Sequence, residues 1–350
     1  MIELAPLRVL VRGESFTTAG VPSRVEDFLA WLGGPCLLRV PGRDRSRSRI
    51  VAALLHGNEP SGVLAMHDWL RGERVPAVDA LLFIAASQTA LASPPFGHRF
   101  LEGRADFNRC WLPPYETREG RVAHEVLHLM RECRAECLID LHNNTGHNPP
   151  YGVGPVPGAA ELNLVSLFAD RFVHSPLILG TLVEATRDDF PSVTIECGRS
   201  GDPAADAVAR RGLEACLERA TLEPRRVEAL SMRILVDPVR VAVRRGIELA
   251  FGDGPVDGAD FTVAIDIDRH NFERVAPGTP LGWLGPRGVW PVEAKGETGR
   301  DTSGELFEVA GGRLQTRRSM IPIMMTTNRS NALADCLFYV VEEGRPVGRS

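Results

Sequence analysis

Two histidines and two glutamates in this sequence have the types and spacing of residues that activate water. His56 and Glu59 are three residues apart in HGNEP, His142 lies in DLHNNTG, and Glu196 lies in TIECG. Zinc sites in hydrolases use three nitrogen or oxygen ligands and leave a fourth position for water. Gly57 lets the chain turn tightly enough for His56 and Glu59 to face one point. We therefore predict one zinc ion (Zn2+) per chain, held by His56, Glu59 and His142.

Two further carboxylates have expected roles beside this ion. Glu196 has no partner ligand nearby in sequence, so we interpret it as the general acid/base. Such a carboxylate takes a proton from the activated water and passes it to the leaving amine. Asp140 precedes His142 by two residues and points to the same face of a strand, where it is expected to orient that ligand.

Residues 96–111, FGHRFLEGRADFNRCW, form a polar segment that contains three arginines. Asn108 and Arg109 offer amide and guanidinium donors that suit a substrate carboxylate. Either Arg99 or Arg104 is expected to stabilise the developing oxyanion of the scissile carbonyl. Asn143, next to His142, is expected to contact the substrate as well.

Residues 124–128 spell HEVLH and compete for the metal, because HExxH is the zinc motif of another hydrolase class. On a helical wheel Val126 marks an apolar stripe that faces the core. His124 and His128 fall on the opposite, polar face. No third ligand at a typical downstream spacing is visible, so the motif is interpreted as surface helix.

The elements that must position these residues are visible as continuous apolar runs, typical of buried parallel strands. If the strands are parallel neighbours, the candidate residues converge at their carboxyl ends. The runs are Ile50–Leu55, Ala80–Ala86, Cys137–Leu141 and Val193–Ile195, and the predicted helices are Ser61–Arg71, Arg118–Arg134, Ala159–Phe172 and Pro203–Ala220. This pattern predicts an α/β catalytic domain with a mainly parallel sheet over residues 1–225. Short strand-like segments then predict a smaller β-rich domain over residues 226–350.

Composition limits the classes of function. Hydrophobic residues make up 44% and charged residues 24% of the 350, and the net charge is −5. This balance gives no indication of nucleic-acid binding. No apolar run reaches roughly 18 residues and no signal peptide is recognisable, so no membrane partner is expected. Seven scattered cysteines without a CxxC pair favour a reducing, cytoplasmic location. Composition leaves the oligomeric state open, with a homo-oligomer as one option.

The four motifs HGNEPSG, DFNRCW, DLHNNTG and TIECG, in that order, resemble the aspartoacylase and succinylglutamate desuccinylase family of the zinc carboxypeptidase superfamily. The resemblance implies a three-layer α/β/α sandwich with a smaller C-terminal β domain that partly covers the active site. It also implies the zinc ligands and the Glu196 role given above, and carboxylate binding by Asn108 and Arg109. The family's oxyanion arginine matches Arg99 only if two residues are inserted, and Arg104 is the fallback.

These expectations favour a zinc-dependent amidohydrolase, a deacylase that acts on N-acyl amino acids or similar small carboxylate-bearing amides. A zinc carboxypeptidase that removes C-terminal residues from peptides is the first alternative. The second is a relative that binds metal without turnover, and the presence of Glu196 beside a full ligand set argues against it.

Overall fold

The computed structural model describes residues 3–222 and 232–344. Its strands are β1 (Arg8–Val11), β2 (Cys36–Val40), β3 (Asp44–Ala53), β4 (Val78–Ile84), β5 (Ala135–Asn144), β6 (Tyr151–Gly154), β7 (Arg171–His174), β8 (Ser192–Arg199), β9 (Arg233–Val243), β10 (Leu249–Gly252), β11 (Phe261–Ala264), β12 (Pro280–Leu284), β13 (Val292–Lys295), β14 (Phe307–Ala310), β15 (Arg313–Thr316), β16 (Ile321–Ile323) and β17 (Phe338–Glu343). Its α-helices are α1 (Val25–Leu32), α2 (Ser61–Arg71), α3 (Ser87–Leu91), α4 (Arg118–Arg131), α5 (Ala159–Val165), α6 (Leu182–Thr186), α7 (Pro203–Glu218), α8 (Ser303–Leu306) and α9 (Arg329–Ala334).

A twelve-stranded sheet forms the centre of the molecule, in the order β1-β2-β4-β3-β5-β8-β6-β7-β9-β17-β16, with β13 paired to β9. The four strands β4, β3, β5 and β8 run parallel to one another. These strands carry the four apolar runs of the sequence, and they are the parallel neighbours that convergence of the candidate residues requires. Their carboxyl ends therefore meet at one edge of the sheet.

Alternate residues of the central strands enter two separate cores. Ile50 and Ala52 of β3 pack in one core with α4 and α6, whereas Val51 and Ala53 pack in the other with α1, α2 and α7. Successive side chains of a strand point to opposite faces, so a strand that is apolar at every position needs a helical layer on each side. The predicted α/β fold with three layers around a mainly parallel centre is confirmed.

One predicted helix is wrong in its second half. The segment Ala159–Phe172 was expected to be a single helix, but α5 ends at Val165 and β7 begins at Arg171. The strand pairs in parallel with β6 on one side and β9 on the other. This pairing within the sheet outweighs the local helical pattern.

Strands from the C-terminal part of the chain enter both sheets. Four of them, β9, β13, β16 and β17, extend the large sheet, and β10, β11, β12, β14 and β15 form a five-stranded second sheet with its own core. The boundary predicted near residue 225 lies outside the described residues, so the division into 1–225 and 226–350 stays a prediction. In the two described stretches, no helix has the length and apolarity needed to cross a membrane.

Candidate metal centre

Three neighbouring strands bring the candidate residues to one edge of the sheet. His56 and Glu59 lie in the turn between β3 and α2, and His142 and Glu196 are paired residues of β5 and β8. The sequence predicted that the last two follow their strands. They lie inside them, because the ladder between β5 and β8 continues past the apolar runs into polar residues that are also buried.

Glu59 lies between the two histidines. Its Oε1 atom is 2.7 Å from Nδ1 of His56, and its Oε2 atom is 2.7 Å from Nδ1 of His142. One ligand atom from each residue lies within 4.8 Å of the other two, and all three side chains are buried. Two imidazoles and one carboxylate are a donor set found in catalytic zinc sites.

The far nitrogen of each histidine faces a further carboxylate. Nε2 of His142 is 2.8 Å from Asp140, and Nε2 of His56 is 3.1 Å from Asp106. Such partners fix the ring so that Nδ1 is presented to the metal. The residues therefore fit a zinc ion in donor type, convergence and orientation.

The pKa values in the cluster are set by burial and by the pairing of each histidine with two carboxylates. Burial alone would raise the pKa of Glu59, but His56 and His142 hold it well below its usual range. Burial would likewise raise the pKa of Asp106, and the hydrogen bond with His56 and the charge of Arg99 lower it. For His142 burial acts to lower the pKa, and the two carboxylates Asp140 and Glu59 raise it well above 6.5. The Glu59 and Asp106 carboxylates are thus held ionised in the folded protein.

The competing HEVLH motif lies on the outer face of α4, as the helical wheel predicted. His124 is exposed and stacks on Tyr115, and His128 is exposed near Glu132. Within residues 3–222 and 232–344, the His56, Glu59 and His142 cluster is the one group of three or more such side chains with converging ligand atoms.

Glu196 is buried beside the cluster and is held by a short polar chain. Asn144 donates from Nδ2 to Oε2 of Glu196 at 2.6 Å, and the Tyr151 hydroxyl donates to Oδ1 of Asn144 at 3.1 Å. Burial raises the pKa of Glu196 to about 7, against the opposing charge of His142. A carboxyl group with such a pKa can both accept and donate a proton near neutral pH.

The two arginines proposed for the oxyanion have different surroundings. Arg99 lines the cavity, donates to Asp106 at 3.2 Å and has Nη1 3.9 Å from Glu59. Arg104 points to Glu119 at the start of α4, with Nε 2.5 Å from its carboxylate, and it is absent from the cavity lining. We therefore propose Arg99 rather than Arg104 as the oxyanion donor, because Arg99 lines the cavity whereas Arg104 contacts Glu119 outside the lining.

Asn108 and Arg109 lie on the wall of a cavity of about 1300 Å³, measured with its open mouth, that also contains the three candidate ligands and Glu196. Asn108 is buried, and its Oδ1 atom has no hydrogen-bond partner among the described residues. Arg109 donates to the Asn108 carbonyl, and its Nη2 atom is 3.4 Å from Asp335. Both residues line the cavity, and their assignment to a substrate carboxylate stays a prediction.

Asn143 has a different environment from the one expected. Its Oδ1 atom accepts from Ser61 N at 3.0 Å, and its Nδ2 group donates to the Ser61 hydroxyl and to the Gly198 carbonyl. Its backbone N–H donates to Glu59 at 3.2 Å. Because the amide already bonds to protein atoms, we propose that Asn143 positions Glu59 and α2 rather than binding substrate.

Three residues near the centre were not singled out by sequence reasoning: Asp106, Asn144 and Asp335. The first two lie inside the quoted motifs DFNRCW and DLHNNTG, where a search for partners of the histidine and glutamate side chains could have found them. Asp335 follows α9 and carried no local signal, because its partner Arg109 is 226 residues away in the sequence.

Solved structures with a similar fold include a succinylglutamate desuccinylase/aspartoacylase from Rhodobacter sphaeroides, with a TM-score of 0.55, 18% identity, and coverage of 89% of this chain and 88% of that one. A succinylglutamate desuccinylase from Vibrio parahaemolyticus has a TM-score of 0.55, 16% identity and coverage of 88% and 86%. Murine aminoacylase 3 has a TM-score of 0.51, 17% identity and coverage of 87% and 97%.

The chain has the fold of these proteins. The resemblance expected from the four motifs is thereby confirmed for the fold. No protein-family profile and no curated protein matches the sequence.

Proposed function

We propose that this protein is a zinc-dependent hydrolase that cleaves the amide bond of an N-acyl amino acid or a similar small amide with a carboxylate. The observation that carries the proposal is the buried His56, Glu59 and His142 cluster, whose donor atoms converge within 4.8 Å on the cavity that also holds Glu196. The fold is shared with structures of desuccinylases and of an aminoacylase, which supports the same class of reaction.

The chain's own side chains have separate tasks in this reaction. A zinc ion on the three ligands would lower the pKa of a water molecule and polarise the substrate carbonyl. Glu196 takes a proton from the attacking water and returns it to the leaving nitrogen. Arg99 donates to the carbonyl oxygen as negative charge develops on it. Asn108 and Arg109 hold the substrate carboxylate by hydrogen bonds and charge.

The proposal is tested by the metal content and the substrate range of the purified protein. We expect about one zinc ion per chain and release of free amino acids from N-acyl amino acids, with activity lost after chelation and restored by Zn2+. Release of C-terminal residues from short peptides without deacylation would instead indicate a carboxypeptidase. Zinc binding without turnover of either substrate class would indicate a non-catalytic protein.

The role of Glu196 is tested by Glu196→Gln. This change keeps the size of the side chain and removes the titrating carboxyl, so zinc content is expected to stay near one and kcat to fall about 10²–10⁴-fold. Glu132→Gln, at the exposed residue that follows α4, is the matched control and is expected to keep full activity. A Glu196→Gln protein with nearly normal kcat would exclude the proton-transfer role.

A further inference from the structure

The cationic side chains of the cavity are few and already have acidic neighbours. Arg99 and Arg109 are the only lysine or arginine residues among the described residues that line it. Arg99 bonds to Asp106 beside the metal ligands, so its charge is committed to the reaction centre. Arg109 is therefore the one guanidinium left to bind a substrate carboxylate away from that centre.

Arg109 forms an ion pair with Asp335. The Nη2 atom of Arg109 lies 3.4 Å from Oδ2 of Asp335, and Arg240 lies 3.6 Å from Oδ1 of the same carboxylate and also donates to the Asp335 carbonyl. Asp335 is about one-third exposed and lines the cavity. Its negative charge lies next to the clamp, where it repels any second anionic group of the substrate.

Another wall of the cavity is apolar. Val153, Val173, Ile323, Met324 and Tyr339 line it, and all five belong to one hydrophobic cluster or pack against it. Val173 is 3% exposed and Ile323 is 1% exposed, so the wall is fixed by the core behind it. A carboxylate placed against such a wall loses its water and gains no cationic partner, which is strongly unfavourable.

A further acidic side chain of the lining, Glu184, is already occupied by hydrogen bonds within the protein. Glu184 accepts hydrogen bonds from the backbone N–H groups of Leu179, Gly180 and Thr181 with one oxygen, as part of the cap of α6. It is fixed as a structural acceptor. Among the described residues that line the cavity, Arg109 is thus the one arginine or lysine outside the reaction centre, and its charge is partly neutralised by Asp335.

We propose that the cavity selects amides that carry a single carboxylate, with both the acyl group and the amino-acid side chain apolar, and that Asp335 enforces this selection. The inference rests on the proposed function and narrows its substrate class. It excludes dicarboxylic acyl groups and acidic side chains as preferred parts of the substrate, whichever end of the molecule faces the apolar wall.

The test is a panel of four amides: N-pentanoyl-leucine, N-pentanoyl-aspartate, N-succinyl-leucine and N-succinyl-aspartate. Succinyl in place of pentanoyl, and aspartate in place of leucine, each replace an apolar end of the amide by a carboxylate of similar size. We expect N-pentanoyl-leucine to have the highest kcat/KM and each added carboxylate to lower it at least about tenfold, the effect of roughly 1.4 kcal/mol. A higher kcat/KM for any of the three acidic amides would overturn the inference.

A binding measurement separates this inference from the proposed function. The dissociation constants of the same four amides are measured by calorimetry with the Glu196→Gln protein. If the wild type hydrolyses none of them but binding follows the predicted order, the selectivity stands and the proposed function fails. If hydrolysis occurs but acidic amides bind best, the selectivity fails and the function stands.

The part played by Asp335 is tested by Asp335→Asn. Loss of its charge is expected to reduce the ratio of kcat/KM for N-pentanoyl-leucine to that for each acidic amide at least about threefold. The reason is that Asp335 no longer repels the added carboxylate. Asp253→Asn, an exposed residue that does not line the cavity, is the control and is expected to leave the ratio unchanged. An unchanged ratio in Asp335→Asn would rule out its role in selection.

Discussion

At the scale of single residues, the centre is built from pairs in which a carboxylate fixes a histidine. His142 is held between Glu59 on Nδ1 and Asp140 on Nε2, and all three side chains are buried. Asp140 itself is 0% exposed. Its Oδ2 atom faces the ring nitrogen that a metal-ligating histidine leaves free, and its Oδ1 atom has no hydrogen-bond partner among the described residues.

Asp140→Asn tests this second carboxylate. The amide keeps the shape and the hydrogen bond to His142 but removes the charge that makes the ligand more basic, so zinc affinity is expected to fall about 10–100-fold. The measurement is competition with a chelator of known affinity. Asp68→Asn, in an exposed ion pair with Arg210, is the matched control. Equal zinc affinities in both variants and the wild type would contradict the assignment.

Whether a site residue could be predicted from the sequence depended on how far along the chain its partners lie. His56 and Glu59 share one turn, and His142 and Glu196 end apolar runs, so parallel pairing alone brings them together. The choice between Arg99 and Arg104 depends on the path of an irregular loop, which no periodicity encodes. Asp335 could not be predicted, because its place beside Arg109 requires the pairing of β17 with β9.

At the scale of elements, helix α2 lies unusually close to the sheet. A Cβ atom on Gly62 would lie 2.8 Å from the Cβ atoms of both Ala53 and Leu141. The first residue of the helix, Ser61, donates its N–H to Asn143. The helix start is therefore fixed between β3 and β5, and it fixes Glu59 two residues before it.

Gly62→Ala tests the importance of this approach. The added methyl would push α2 away from β3 and β5, and overpacking of this kind costs about 1–3 kcal/mol in unfolding free energy. Zinc affinity is expected to fall as well, since Glu59 moves with the helix start. Gly304→Ala in α8 is the control, because nothing lies within 4 Å of its Cβ position.

Urea unfolding and zinc titration of both variants give the comparison. In Gly304→Ala, alanine's higher helix propensity should leave stability unchanged or slightly higher. Equal stability of Gly62→Ala and the wild type would mean that the sheet and helix can separate at no cost.

Elements were predictable where the residue pattern was long enough. α2 has the predicted bounds, and β3 and β4 contain all but the last two residues of the predicted apolar runs. β7 escaped prediction because four residues carry too little periodicity to be separated from the helix before them. The participation of β9 and β17 in the large sheet depends on long-range pairing, which local patterns do not contain.

At the scale of the whole molecule, burial or partial burial raises the pKa of several thiols and of a tyrosine. Burial raises the pKa of Cys36, Cys110 and Cys336 to about 12, and it raises those of Cys197 and Tyr151 well above their usual ranges. In the unfolded chain these thiols ionise near pH 8.5. Above that pH the unfolded chain binds fewer protons than the folded protein, so stability falls as pH rises.

The free energy of unfolding is therefore expected to decrease between about pH 8.5 and 10.5, by roughly 1.4 kcal/mol per pH unit for each thiol that stays protonated only when folded. Urea unfolding at several pH values in the presence of a reductant measures this slope. Cys336→Ala should reduce the slope by about one proton. A stability that stays level across this range would show that the thiols ionise equally in both states.

The residues that line the cavity are synthesised at different times, because they lie far apart in the sequence. The three candidate ligands are complete by residue 142, whereas the wall formed by Ile323, Asp335 and Tyr339 emerges almost two hundred residues later. Domains begin to form from the N-terminal side during synthesis. The ligands are therefore synthesised well before the C-terminal part of the cavity wall. A chain that ends before β16 would contain all three ligands and lack that part of the wall.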